Sequence, residues 1–169
     1  MVTLIVFGGL PGSGKSSIAR QLARETGAMW RIDSIEQAIR ESGVVPGSIG
    51  DAGYRAAYAI AADNLRLGCD VIADSVNGWS VTRNAWRDTG VRAGAQLIEV
   101  EIICSDLEEH RRRVETRNSE VPGLLLPNWQ AVMAHDYEPW DRDHLTIDTA
   151  VRSIEDCVRL VRAAMPGRA

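Results

Sequence analysis

Two hydrophobic registers take turns along this chain. Short, largely apolar runs at residues 3–7, 29–32, 71–73, 96–103 and 145–147 read as strands. The first, Thr3-Leu4-Ile5-Val6-Phe7, is unbroken, as a strand buried on both faces requires. Between these runs the apolar positions recur at helical spacing, over 15–26, 34–41, 52–67, 81–92, 107–116 and 151–164. Ile18, Leu22 and Ala23 mark the inner side of the first helix, and Gly27 is placed to end it. A helix of about two turns opens at Pro127 or Asn128. Residues 42–51, with Gly43, Pro46, Gly47 and Gly50, read as a loop, and 117–127 as an irregular stretch.

Strands alternating with helices imply parallel βαβ units, and five such strands make a doubly wound α/β sheet. No repeat, low-complexity tract or linker divides the chain, so residues 1–169 are expected to form one domain. The 45% hydrophobic and 25% charged fractions are those of a soluble globular protein. A net charge of −4 weighs against a broad nucleic-acid-binding face. Cys69, Cys104 and Cys157 are odd in number and form no CxxC pair, so they read as small buried hydrophobes in a reducing compartment. Residues 1–7 lack a basic flank, and no apolar run approaches the roughly 20 residues of a membrane span. A cytoplasmic protein with no membrane partner is expected.

The chemistry begins directly after the first strand. Gly9-Leu10-Pro11-Gly12-Ser13-Gly14-Lys15-Ser16 has the pattern G-x-x-x-x-G-K-[ST] between a strand and a helix. Gly9, Gly12 and Gly14 let backbone N–H groups turn around phosphate oxygens, and Pro11 stiffens the loop. The helix that follows presents unpaired N–H groups and a positive dipole end to the same anion. Lys15 reaches the β- and γ-phosphates, the Ser16 hydroxyl suits Mg²⁺, and Ser13 and Ser17 complete the nucleotide-binding set.

Two acids follow strands, Asp33 after the second and Asp74 after the third, where ligands collect in a parallel sheet. A phosphoryl transfer needs one carboxylate to take the acceptor proton and an acidic group near the metal. Asp33 suits the first role and Asp74 the second. The competing readings are a helix cap for Asp33, a role Ser34 can fill equally, and a turn residue for Asp74. Arg113 and Arg117, four residues apart on one helical face, suit charge stabilisation, with 117–127 as a lid. Arg111 and Arg112 read as partners of the neighbouring acids. Tyr54, Tyr58, Asn77 and Trp79 are candidates for an acceptor pocket, with Trp30 behind them, and core packing or a loop role is the alternative for each.

These residues together resemble the small P-loop kinases, among them adenylate, gluconate, shikimate and adenylylsulfate kinases, polynucleotide kinase and chloramphenicol phosphotransferase. The likeness covers almost the whole chain and is nearest to the predicted-kinase AAA-family ATPases. It rests on residues 9–16, Asp33-Ser34, Ile72-Ala73-Asp74-Ser75 and Arg113-x-x-x-Arg117. Ile147-Asp148-Thr149 resembles the strand end near which such kinases place adenine. The resemblance implies ATP and Mg²⁺, a parallel core in the order 2-3-1-4-5, and transfer of the γ-phosphate to a hydroxyl of a small molecule, a metabolite or an antibiotic. The absence of a stretch ending in Asp-Glu departs from mechanical AAA+ motors. No arginine pair after the second strand matches an adenylate-kinase monophosphate site. A 5′-hydroxyl polynucleotide kinase and a nucleotide-dependent binding protein without transfer are the alternatives.

Overall fold

The computed structural model describes residues 1–26 and 28–165, without the side chains of residues 28–30. The roles expected of Gly27 and Trp30 therefore lie outside the described residues. Strands β1 (Thr3–Gly8), β2 (Ala28–Arg31), β3 (Val71–Asp74), β4 (Gln96–Ile103) and β5 (Leu145–Asp148) form a parallel sheet in the order β2-β3-β1-β4-β5. Helices α1 (Lys15–Thr26), α2 (Ile32–Glu41), α3 (Ala52–Arg66), α4 (Ser80–Arg92), α5 (Leu107–Thr116), α6 (Trp129–Met133) and α7 (Ile154–Ala164) connect or flank the strands.

Strand β1 is central and wholly buried, which explains its unbroken apolar run. Its side chains alternate between two cores. Ile5 and Phe7 face Ile18 and Leu22 of α1 and Val158 and Val161 of α7. Leu4 and Val6 face Ala57, Ala61 and Leu65 of α3 and Trp86 of α4. Burial of each Val, Leu, Ile or Phe among them contributes about 1.5–3 kcal/mol. All five strands point their carboxyl ends to one edge, so the glycine loop, Asp33 and Asp74 share it.

Three helices start on a side-chain cap. Asp106 accepts from the Glu108 and Glu109 amides, Asn128 from Ala131, and Ser153 from Asp156, so α7 starts three residues later than its apolar pattern suggests. Helix α2 is different. It begins at Ile32 straight from the strand, with Arg31 at the cap position and no side-chain cap. Neither Asp33 nor Ser34 caps it, which corrects that reading; Asp33 is in the first helical turn with its carboxylate about half exposed. Cys104 and Cys157 are buried as expected, but Cys69 is exposed, because the turn after α3 carries it out of the core.

One segment without an expected element, 134–144, meets β4 where Arg142 stands beside Glu99 and His144 beside Glu101. The wholly buried Arg83 holds it by donating to the Glu138 and Pro139 carbonyls, 3.1 and 3.3 Å away, with its guanidinium 4.7 Å from the Trp140 ring. No helix of the described residues is long and apolar enough to cross a membrane.

Candidate active site

The glycine loop departs from β1 with Gly9, Gly12 and Gly14 at φ of 133, 86 and 104°, conformations that side-chain-bearing residues avoid. Close approach makes two of them obligatory. A Cβ on Gly9 would stand 2.1 Å from the Ile102 carbonyl oxygen, and one on Gly12 would stand 2.5 Å from Val114 Cγ2.

The loop is braced from behind by α5 and the end of β5. The His110 imidazole, buried edge-on against Trp129, lies 2.9 Å from the Pro11 carbonyl. A carbonyl only accepts, so His110 Nε2 carries the proton. The Thr149 hydroxyl donates to the Ser13 carbonyl at 2.7 Å. Arg113 in turn donates to the Thr149 hydroxyl and carbonyl at 2.8 and 3.1 Å, and to Glu109 at 2.7 Å. Its guanidinium, which the sequence placed among the charge stabilisers, is thus committed to holding Thr149. Arg111 and Arg112 pair with Glu115 and Glu109, as the interleaved acids suggest.

In front of the loop opens a cleft of about 540 Å³. Pro11, Gly12, Gly14, Lys15, Ser16 and Ser17 form its floor; Gly9 and the buried Ser13 lie beneath and shape it. Asp33, Asp74 and Arg117 all line it, together with Arg31 and residues 118–120 and 124–127 of the lid stretch. Four residues expected at an acceptor pocket do not. Tyr58 packs edge-on against Trp86 at 4.6 Å, in the core. The Tyr54 hydroxyl accepts from the Asn77 amide at 3.4 Å, and Asn77, wholly buried at φ 49°, donates its side-chain amide to the Phe7 carbonyl at 2.7 Å. The first bond ties α3 to the turn after β3, and the second ties that turn to the end of β1. Trp79 caps α4 half-exposed and faces His135 at 6.0 Å. His135 is the residue of that pair that lines the cleft.

The electrostatics centre on Lys15 and Asp74. Lys15 is 7% exposed and donates to the Leu10 carbonyl at 2.9 Å. Burial brings its ammonium down to about 8, partly offset by the Asp74 and Asp33 carboxylates. Burial pushes the Asp74 carboxyl up, against the pull of Lys15, the Ser16 hydroxyl and Arg31. Burial also lowers Arg117, whose Nε and Nη2 are buried without a hydrogen-bond partner among the described residues.

The Lys15 shift sets a pH dependence. Below about 8 the ammonium is present and attracts a polyphosphate; as pH rises through 8 it is lost, and affinity falls with it. Calorimetric titration with AMPPNP should give a Kd that rises about tenfold per pH unit once the ammonium is lost, a slope absent in Lys15→Met. A flat profile in the wild type would rule out Lys15 as the phosphate-facing cation.

Arg31 is the member of the site that the sequence reading missed. Its Nε lies 3.9 Å from Asp33 and 3.8 Å from Asp74, and its Nη1 donates to Glu120 of the lid stretch at 3.0 Å. The Nε and the Asp74 Oδ2 lie too far apart to hydrogen-bond, and neither has another partner among the described residues. Glu120 also pairs with Arg20 of α1, and a Cβ on Gly123 would stand 2.8 Å from Gln37 of α2. The lid stretch therefore rests on α1, the end of β2 and α2, and roofs the cleft.

A parallel sheet, a braced glycine loop and convergent charges at the strand ends define a P-loop nucleotide-binding domain with a kinase-like fold. Residues 4–134 match the AAA domain family, and the chain belongs to that family. No curated protein matches it. Among solved structures it is similar to the APS kinase of Mycobacterium tuberculosis in complex with AMPPNP and APS, at 19% identity and a TM-score of 0.74, covering 96% of each chain. A sugar kinase from Janibacter aligns at 18% identity and a TM-score of 0.69, over 96% of this chain and 94% of that one. A gluconokinase from Sinorhizobium meliloti aligns at 20% identity and a TM-score of 0.63, over 96% and 93%. All three share the fold of the small P-loop kinases.

Proposed function

We propose that this protein is an ATP-dependent phosphotransferase that moves the γ-phosphate to a hydroxyl of a small molecule. The observation that carries the reading is the convergence of Lys15, Asp33, Asp74 and Arg117 on one roofed cleft whose floor is the phosphate loop. The kinship with kinases of small metabolites in solved structures supports it.

In this reading the loop and α1 hold the β- and γ-phosphates, with Lys15 donating to their oxygens. Ser16 and the buried Asp74, whose Oδ2 lacks a partner among the described residues, fit a magnesium ion, which would supply charge neutralisation at the phosphates. Asp33 orients the acceptor hydroxyl and takes its proton as the new oxygen–phosphorus bond forms. The bond from the γ-phosphorus to the β,γ-bridging oxygen breaks, and ADP leaves with that electron pair. Arg117 lines the cleft, has two buried donors without a partner among the described residues, and faces the charge that builds on the transferring group. Arg113 positions Thr149 and the loop instead of touching the phosphates. The roof over the cleft limits water as a competing acceptor.

The test is a screen of hydroxylated metabolites, nucleosides and antibiotics with γ-labelled ATP. Label is expected to move to one acceptor class, faster than to water. Release of label to water alone, whatever the compound added, would leave a nucleotide hydrolase or switch and sink the assignment.

A further inference from the structure

The acceptor end of the cleft has a feature that phosphate binding leaves unexplained. Lys15 and Arg117 face the nucleotide, while Arg40 and Arg113 are neutralised by Glu36 and Glu109. Arg31 and Arg20 instead receive a carboxylate from the lid, Glu120, which sits between them. On the far side of this pair is a second hollow of about 270 Å³ against α2. Arg31 and Glu120 line both hollows, so their ion pair is the partition between them. Glu120 is 48% exposed and comes from a stretch with no helix or strand, whereas Arg31 is fixed at a strand end and 21% exposed. Exchange at this pair therefore falls to the carboxylate, which no helix or strand anchors, while the guanidinium keeps its place at the strand end. Even with the pair closed, the buried Arg31 Nε has no acceptor among the described residues and lies 3.9 Å from the Asp33 carboxylate.

We infer that the acceptor is a hydroxylated anion, whose carboxylate or phosphate displaces Glu120 from Arg31 while its hydroxyl lies at Asp33. Arg31 has the planar fork of donors that such groups take in pairs, and Glu120 already shows a carboxylate seated on it. Displacing Glu120 opens the partition and joins the second hollow to the first. A neutral polyol gains nothing there, since it would leave Arg31 on the lid carboxylate. This inference rests on the kinase reading for its chemistry, but the anion seat is testable apart from it.

Protein saturated with Mg²⁺ and AMPPNP is titrated calorimetrically with D-gluconate, sorbitol 6-phosphate and sorbitol. The expected result is binding of at least one anion tenfold or more tighter than sorbitol, and which anion wins separates carboxylate from phosphate. Arg31→Gln should remove that advantage and Arg31→Lys restore part of it. Glu120→Gln, at an exposed site, should tighten the preferred anion severalfold and leave sorbitol unchanged. No anion preference in the wild type, lack of all binding included, overturns the inference, as does a Glu120→Gln variant that binds the anion no better. The same three compounds with γ-labelled ATP separate the two readings. Arg31-dependent anion binding, with no label transferred to any acceptor in the wider screen, removes the kinase and leaves the seat. Label moving to sorbitol as readily as to the anions removes the seat and leaves the kinase.

Discussion

Lys15→Ala is expected to abolish phosphate transfer, lowering turnover on the order of 10²–10³-fold or more, without lowering the melting temperature. The first half follows from position. Lys15 opens α1 behind the glycine loop and is the cation nearest to where the β- and γ-phosphates lie in a loop of this pattern. Removing one such preorganised charge or donor costs several kcal/mol of barrier. The second half follows from burial. An ammonium brought down to about 8 is a burden on the folded state at neutral pH, so deleting it relieves the fold. The folded value lies below the unfolded one, so the cost is present below about 8 and fades as pH rises above it. Transfer measured with γ-labelled ATP beside a thermal melt reads both halves. An active variant would remove the basis of the phosphate-loop reading. An inactive variant that melts far lower would mean that lost structure, and not lost charge, explains it.

Asp33→Asn should separate binding from chemistry. The side chain lies in the first turn of α2, about half exposed and across the cleft from the phosphate floor, so it holds no part of the core. Affinity for AMPPNP should stay within about threefold. Transfer should fall by roughly 10²–10⁴, the range that a positioned general base contributes. Unchanged turnover on the acceptor found by screening would dismiss Asp33 as the base and return attention to Asp74. Loss of nucleotide affinity equal to the loss of rate would place Asp33 on the donor side instead.

Much of this site is legible in the sequence because its parts depend on backbone geometry and strand ends. Gly9, Gly12 and Gly14 each occupy a conformation or a gap closed to other residues, so their spacing alone announces the loop. Asp33 and Asp74 are legible because a parallel sheet carries every strand end to one edge. What escaped was pairing across long sequence distances. Nothing local to Arg31 tells that Glu120, 89 residues on, will reach it. His135 lines the cleft beside a segment that Arg83, 55 residues earlier than Glu138, holds in place. The aromatic residues misled for a related reason. Tyr54 and Tyr58 have the helical spacing of a lining, but α3 turns them toward the Asn77 turn and Trp86. Arg113 and Arg117 share a sequence pattern but not their surroundings, since Thr149 engages Arg113 while two donors of Arg117 have no partner among the described residues.

The bracing of the phosphate loop has a consequence for how such a protein diversifies. His110, Arg113 and Thr149 grip the loop entirely from the α5 and β5 side. Asp33, Arg31 and the roof belong to the opposite flank, on β2, α2 and the stretch after α5. Exchanges at 31–41 or 118–127 therefore leave the hydrogen bonds that His110, Arg113 and Thr149 make in place, and reach the loop only through the charges of Asp33, Arg31 and Arg117 on Lys15 and through the Glu120 pair with Arg20. If the proposed phosphotransferase activity holds, the acceptor flank can change one substitution at a time while the brace behind the phosphate loop stays as it is.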